Sequence, residues 1–233
     1  MSVRTSALIA LLSIIASTAG AQVGYPPTRS PYLDLTYSQE ITAIGGYYFA
    51  RQDPAGVSPQ SAALTGVHYE WRAGGPAHLT GELVRIASSR TVLDPSKPAA
   101  TRSLGEQSWP VYGADFGLGM SLTGARSWHQ MVPEIKAGVG FLSDLKGKSD
   151  VGGFKYGTRF ALTWGAALRY VPSNGSRYQL RADLTNRLSS IRYPDVYFRP
   201  TTSGVPPILT GKDQSVWRNN PSLSIGISYL FSR

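Results

Sequence analysis

The chain contains no cysteine. That excludes disulfides, thiolate metal sites and lipid attachment at a processed N-terminal cysteine. Its three histidines, His68, His78 and His129, are scattered along the sequence, so no zinc-type ligand cluster can be read from spacing. Beyond the first twenty or so residues no apolar run approaches the ~20 residues that a spanning helix needs. The net charge is +9, yet no basic helix and no nucleic-acid motif accompanies it. The excess of bases reads instead as attraction to envelope polyanions, with lipopolysaccharide as the expected partner and nucleic acid not expected.

What is present begins at the N-terminus. The start Met1-Ser-Val-Arg4, an uncharged apolar run from Ala7 to Ala16 and the small-x-small site Ala19-Gly20-Ala21 describe a secretory signal peptide over residues 1–21, cleaved before Gln22. The run is too short for a membrane anchor. Residues 22–233 then form one domain, opening with an irregular lead-in over residues 22–39 that carries Pro26, Pro27 and Pro31.

The last strand is the most informative segment. Leu223, Ile225, Ile227, Tyr229 and Phe231 alternate with Ser222, Ser224, Gly226 and Ser228, a period of two that means an extended strand with one apolar face. Similar alternation places seven earlier strands at about 40–50, 61–72, 78–88, 110–122, 129–142, 158–171 and 177–189. In the third of these, Leu83-Val84 and Arg85-Ile86 break the pattern, and a bulge is expected there. Ala73-Gly-Gly-Pro76, the stretch 123–128 and Ser173-Asn-Gly-Ser176 are turns, the last with the Asn-Gly pair that suits a tight hairpin. The connections after the first, third, fifth and seventh strands are long, about 51–60, 89–109, 143–157 and 190–219.

Short turns on one side and long loops on the other are the asymmetry of outer-membrane barrels. The expected fold is all-β, an eight-stranded antiparallel up-and-down transmembrane β-barrel of the bacterial outer membrane, with both termini on the periplasmic side. A soluble β-sandwich or lipocalin-like barrel also alternates. There, however, the apolar face would turn inward, whereas here the opposite face is rich in Gly and Ser and the apolar face carries Trp and Tyr near strand ends.

On these residues the chain resembles the small eight-stranded outer-membrane barrels, the group of the OmpA transmembrane domain and OmpX. Ser224, Gly226, Tyr229 and Phe231 also resemble the terminal assembly signal of such barrels, although Ser232 and Arg233 follow where the family often ends on Phe. The resemblance implies the barrel-assembly machinery and periplasmic chaperones as partners during biogenesis. It implies no cofactor. Nothing here resembles the peptidoglycan-binding domain of full-length OmpA proteins.

Eight strands enclose an interior that side chains just fill. The alternation points Glu70, Arg72, Asp115, Glu134, Lys136, Arg159, Arg169, Arg181, Asp183 and Arg187 into it, with His68 and Glu82 beside them. Charges in so narrow a space must pair, so an ion-pair network is expected. Three functions follow from this pattern. The first is a structural or surface-interaction role through the long loops, with the mixed aromatic and basic loop 190–219 as a contact surface for an extracellular or envelope protein partner. The second is a narrow pore, biased toward anions by the arginines. The third and weakest is a lipid-modifying enzyme, for which no His-Ser or carboxylate arrangement with supporting spacing is present, so no catalytic residues and no metal ligands are assigned.

Overall fold

The computed structural model describes residues 30–173, 176–211 and 213–231. The signal-peptide segment and residues 22–29 of the lead-in lie outside these residues. So do the Asn-Gly pair of the predicted hairpin and the final Ser-Arg.

Among the described residues twelve strands are present. Eight of them form the barrel: β2 (Gln39–Tyr48), β3 (Ala62–Gly74), β4 (Ala77–Ile86), β7 (Val111–Ser121), β9 (Met131–Ser143), β10 (Thr158–Tyr170), β11 (Tyr178–Arg192) and β12 (Ser215–Phe231). Each pairs antiparallel with its neighbour, and β12 returns to pair with β2, Leu223 opposite Tyr47 and Phe231 opposite Gln39. No barrel edge is left open, which a sheet in hydrocarbon requires because lipid offers no hydrogen bonds. The remaining strands are short: β1 (Tyr32–Asp34), β5 (Ser89–Leu93), β6 (Ser103–Ser108) and β8 (Arg126–Trp128). The lead-in is therefore not wholly irregular, since β1 pairs with β8 and Arg126 Nε donates to Asp34 Oδ1 at 2.8 Å.

Sequence alternation sets which side chains leave the barrel. Phe116, Leu118, Leu184, Leu223, Ile225 and Ile227 all point outward, with 52–69% of their surface exposed. In water such a band would be an aggregation surface; in a bilayer it is the lipid contact. Aromatics border it at both ends. Tyr69, Trp71, Tyr170, Tyr178 and Tyr229 lie toward the short turns, and Tyr47, Phe49, Tyr112, Phe141 and Phe160 toward the long loops.

Two strand predictions need correction. The alternation in β4 is unbroken: Leu83 and Arg85 are exposed while Val84 and Ile86 are buried. No bulge lies there; the one register shift in this hairpin falls between Arg72 and Gly74, at the turn. The mixed pattern arises because the barrel interior itself turns apolar at the loop end. The last strand also begins earlier than expected, at Ser215. Pro221 hid this, since proline supplies no ladder hydrogen; its carbonyl still accepts from Phe49 N at 2.8 Å.

Candidate functional site

The interior divides into a charged lower part and an apolar upper part. At the turn end, Arg169 and Arg181 lie among three glutamates. Arg169 Nη1 donates to Glu40 Oε2 at 2.8 Å, and its Nη2 meets Glu134 Oε1 at 2.5 Å. Arg181 Nη1 donates to Glu70 Oε2 at 2.9 Å, its Nε donates to Asp183 Oδ2 at 2.9 Å, and its Nη2 lies 3.2 Å from Glu134 Oε2. Hydroxyls add further donors: Ser228 Oγ and Thr42 Oγ1 donate to Glu40 Oε1 at 2.7 and 3.0 Å, and Ser121 Oγ donates to Glu134 Oε1 at 3.2 Å.

Mid-barrel, Lys136 Nζ donates to Asp183 Oδ1 at 2.8 Å and lies 3.5 Å from Glu82. His68 Nδ1 lies 3.3 Å from Glu82 Oε2. Toward the loops, Arg187 donates from Nε to Asp115 Oδ2 (2.8 Å), from Nη1 to Ser222 Oγ (3.0 Å) and from Nη2 to Glu82. The six carboxylates Glu40, Glu70, Glu82, Asp115, Glu134 and Asp183 thus share the four bases Lys136, Arg169, Arg181 and Arg187. A void of about 20 Å³ beside His68, Glu82, Asp115 and Lys136 has room for about one water.

Most charged residues that the alternation sent inward meet in this network. Two do not. Arg72 donates its Nη1 to the Leu35 carbonyl at 2.8 Å, at the turn end. Arg159 sits at the loop rim, where Nε and Nη2 donate to the carbonyls of Tyr156 (2.6 Å) and Lys155 (2.8 Å). Two members were missed. Glu40 lies one residue inside the start of β2, where too little alternation precedes it to reveal its phase. His78, the second residue of β4, is buried with Nε2 3.7 Å from Glu70 and 3.9 Å from Glu134. Ligand atoms of Glu70, His78 and Glu134 lie within 4.8 Å of one another. Arg181 already holds the same Glu70 and Glu134 oxygens, so a dication there would have to displace a guanidinium.

Above Arg187 the interior is closed by side chains that the strands and loops contribute together. Inward-facing Ile44, Tyr48, Leu64, Ile86, Leu142 and Ile191 pack against Val57, Phe154, Tyr156, Tyr193 and Tyr197 from the loops. Each such large apolar side chain contributes roughly 1.5–3 kcal/mol on full burial. Tyr193 and Tyr197 stack with centroids 6.3 Å apart, and Tyr193 Oη donates to Asp53 Oδ2 at 2.8 Å. Burial first, and the neighbouring Asp53 carboxylate second, hold the Tyr193 phenol well above its ordinary value. The hairpin of β5 and β6 is fastened to the same cap. Fully buried Arg90 donates to Asp150 at 2.8 Å and lies 4.0 Å over the Trp109 ring, whose Nε1 donates to Asp144 at 3.0 Å.

Ser224 is buried on the inward face of β12, while Tyr229 and Phe231 stack on the outward face, centroids 6.3 Å apart. Gly226 lies opposite Ile44 of β2. The four residues of the terminal motif therefore sit on the strand that closes the barrel.

The chain is thus a closed eight-stranded transmembrane β-barrel with the fold of the small outer-membrane barrel proteins. It is similar to the outer membrane protein OprG from Pseudomonas aeruginosa, with a TM-score of 0.51 and 13% identity over 88% of this chain and 100% of that one. Similarity to Neisserial surface protein A (TM-score 0.46, 12% identity, 83% and 97% covered) and to Ail of Yersinia pestis (0.39, 14%, 84% and 99%) is weaker. At these identities the likeness describes the fold alone. No family model matches the sequence, and no curated protein matches it.

Proposed function

We propose that this protein is a bacterial outer-membrane barrel with a closed lumen, structural in the bilayer and acting outward through its folded loops. The observation that carries this reading is the interior itself. Paired charges fill its lower part, and an apolar cap joined to four loops seals the upper part. Opening a solute path would require breaking buried ion pairs, each costing about 3–5 kcal/mol when one partner is left behind. The anion bias expected from the sequence loses its basis, since acids outnumber lysines and arginines inside. Catalysis has no place in this reading: His68 and His78 are sealed within the barrel, where no lipid ester reaches them.

Export through a cleaved signal peptide and assembly by the barrel-insertion machinery belong to the same proposal. The contact surface is the loop crown, with residues 193–214 as one of its two longest segments. Proteoliposomes loaded with small sugars test the closed lumen; they should release them no faster than protein-free vesicles. Rapid release would refute it. Trimming residues 199–213 leaves Tyr193 and Tyr197 in the cap, so the barrel should still fold while any surface binding through this loop is lost.

A further inference from the structure

The lumen bases Lys136, Arg169, Arg181 and Arg187 are all paired with carboxylates. At the loop rim, by contrast, Lys155, Arg159 and Arg192 share one cleft, and among the described residues none has a carboxylate within 4.0 Å. The cleft has a volume of about 440 Å³ and no acid in its lining. Asp144, the acid that acts electrostatically on Arg159, is already engaged by Trp109. Three like charges left together are mutually unfavourable until an anion neutralises them.

The position of the cleft restricts the anion. Arg192, the last residue of β11, and Thr158, the first residue of β10, each lie three residues beyond the last pair of these two strands, Ser189 with Ala161. The Arg192 side chain leaves the barrel on the outward face, two positions beyond Ser190. Just below on the same exterior are Phe160 and Leu162 of the lipid-facing band. Thr158 Oγ1 and Ser143 Oγ, 2.9 Å apart, form a hydroxyl pair at the same level. This is the height at which hydrocarbon gives way to headgroups. Arg159 is held in place by its bonds to the Tyr156 and Lys155 carbonyls, and Tyr156 is anchored in the apolar cap. Gly157, with φ 64°, permits the tight turn that brings Lys155 back beside Arg159.

We propose that Lys155, Arg159 and Arg192 bind a phosphate group carried by a glycolipid of the surrounding outer leaflet. Guanidinium groups suit phosphate oxygens, which they meet with paired charge-assisted hydrogen bonds. The inference rests on the outer-membrane placement argued above, but not on the lumen being closed.

The test uses the full barrel refolded in phosphatidylcholine vesicles containing a small fraction of lipid A. Native mass spectrometry then counts the lipid retained on extraction. Parallel arms use enzymatically dephosphorylated lipid A, and inorganic phosphate as competitor. The wild type should retain the phosphorylated lipid about tenfold more than the dephosphorylated one, a difference of roughly 1.4 kcal/mol. The double variant Lys155→Gln/Arg192→Gln leaves the Arg159 loop bonds in place and should lose that preference while keeping heat-modifiable migration. Lys155→Arg should retain it. Equal retention of both lipids by the wild type, or an unchanged preference in the double variant, overturns the proposal. Inorganic phosphate that displaces the lipid at equal concentration also overturns it, in favour of a free-anion site. Failure of the wild type to show heat-modifiable migration would instead sink the membrane placement. Sugar release with phosphate preference intact would sink only the closed lumen.

Discussion

Replacing Arg187 with methionine should destabilise the barrel mainly through one stranded acid. Arg187 is completely buried and joins Glu82, Asp115 and Ser222. Without it, Glu82 keeps Lys136 at 3.5 Å and His68 at 3.3 Å. Asp115 keeps no cation within 4.0 Å among the described residues. Breaking a buried pair from one side costs about 3–5 kcal/mol, and because Glu82 retains partners the lower figure, about 3 kcal/mol, is expected for Arg187→Met. Asp115→Asn alone removes a charge-assisted hydrogen bond but leaves Arg187 with Glu82 and Ser222, a cost of about 1.5 kcal/mol. Combining them removes the stranded charge, so the double variant should be about 1–2 kcal/mol more stable than Arg187→Met. The assay is reversible urea unfolding in lipid vesicles, read by tryptophan fluorescence and by heat-modifiable migration. A double variant whose loss equals the sum of the two single losses would refute the reasoning, since it would mean that Asp115 is not left unpaired.

Arg90→Leu should free the β5–β6 hairpin from Asp150 and Trp109, making residues 94–102 sensitive to added protease while the membrane-embedded strands stay protected. Protection equal to that of the wild type would contradict the clamp. A Cβ at Gly138 would overlap the Phe116 carbonyl oxygen and lie 2.7 Å from Gly117 Cα, so Gly138→Val should cost about 3 kcal/mol at the β7–β9 pairing; a loss under about 1 kcal/mol would mean that the strands yield there. Burial raises the phenols of Tyr156 and Tyr197 as it does that of Tyr193. Their stabilising contribution is fully present below the ordinary value of 10.0 and is lost as pH rises through the higher folded-state values. Phenolate absorbance should therefore show these tyrosines ionising after the exposed ones, with the cap loosening as they do. Simultaneous ionisation of every tyrosine while the barrel remains folded would show the cap to be open.

Much of the barrel was legible because lipid and lumen impose opposite demands on neighbouring residues. β7, β9, β10 and β11 alternate over their whole length, so the inward positions of Asp115, Glu134, Lys136, Arg169, Arg181, Asp183 and Arg187 follow from parity alone. Parity does not give height along the barrel. Arg72 and Arg159 share the inward phase but lie at opposite ends, where backbone carbonyls receive them instead of carboxylates. The cap was illegible for a different reason. Val84 and Ile86 look like errors of alternation until Phe154, Tyr156, Tyr193 and Tyr197 are brought over them, and those contacts join loops far apart in sequence. The same distance hid the Arg90–Trp109 clamp. The rim cleft depends on Arg192 and residues 155–159 lying side by side beyond the last β10–β11 pair, which no local pattern announces.

Planar-bilayer recording of single refolded barrels tests the closed lumen most directly. The ion-paired interior and its apolar cap predict a flat current at moderate voltage, with insertion verified by heat-modifiable migration of the same sample. Stable stepwise conductance from verified barrels, altered by Arg169→Glu or Arg181→Glu, would show an open path through the network and contradict the account.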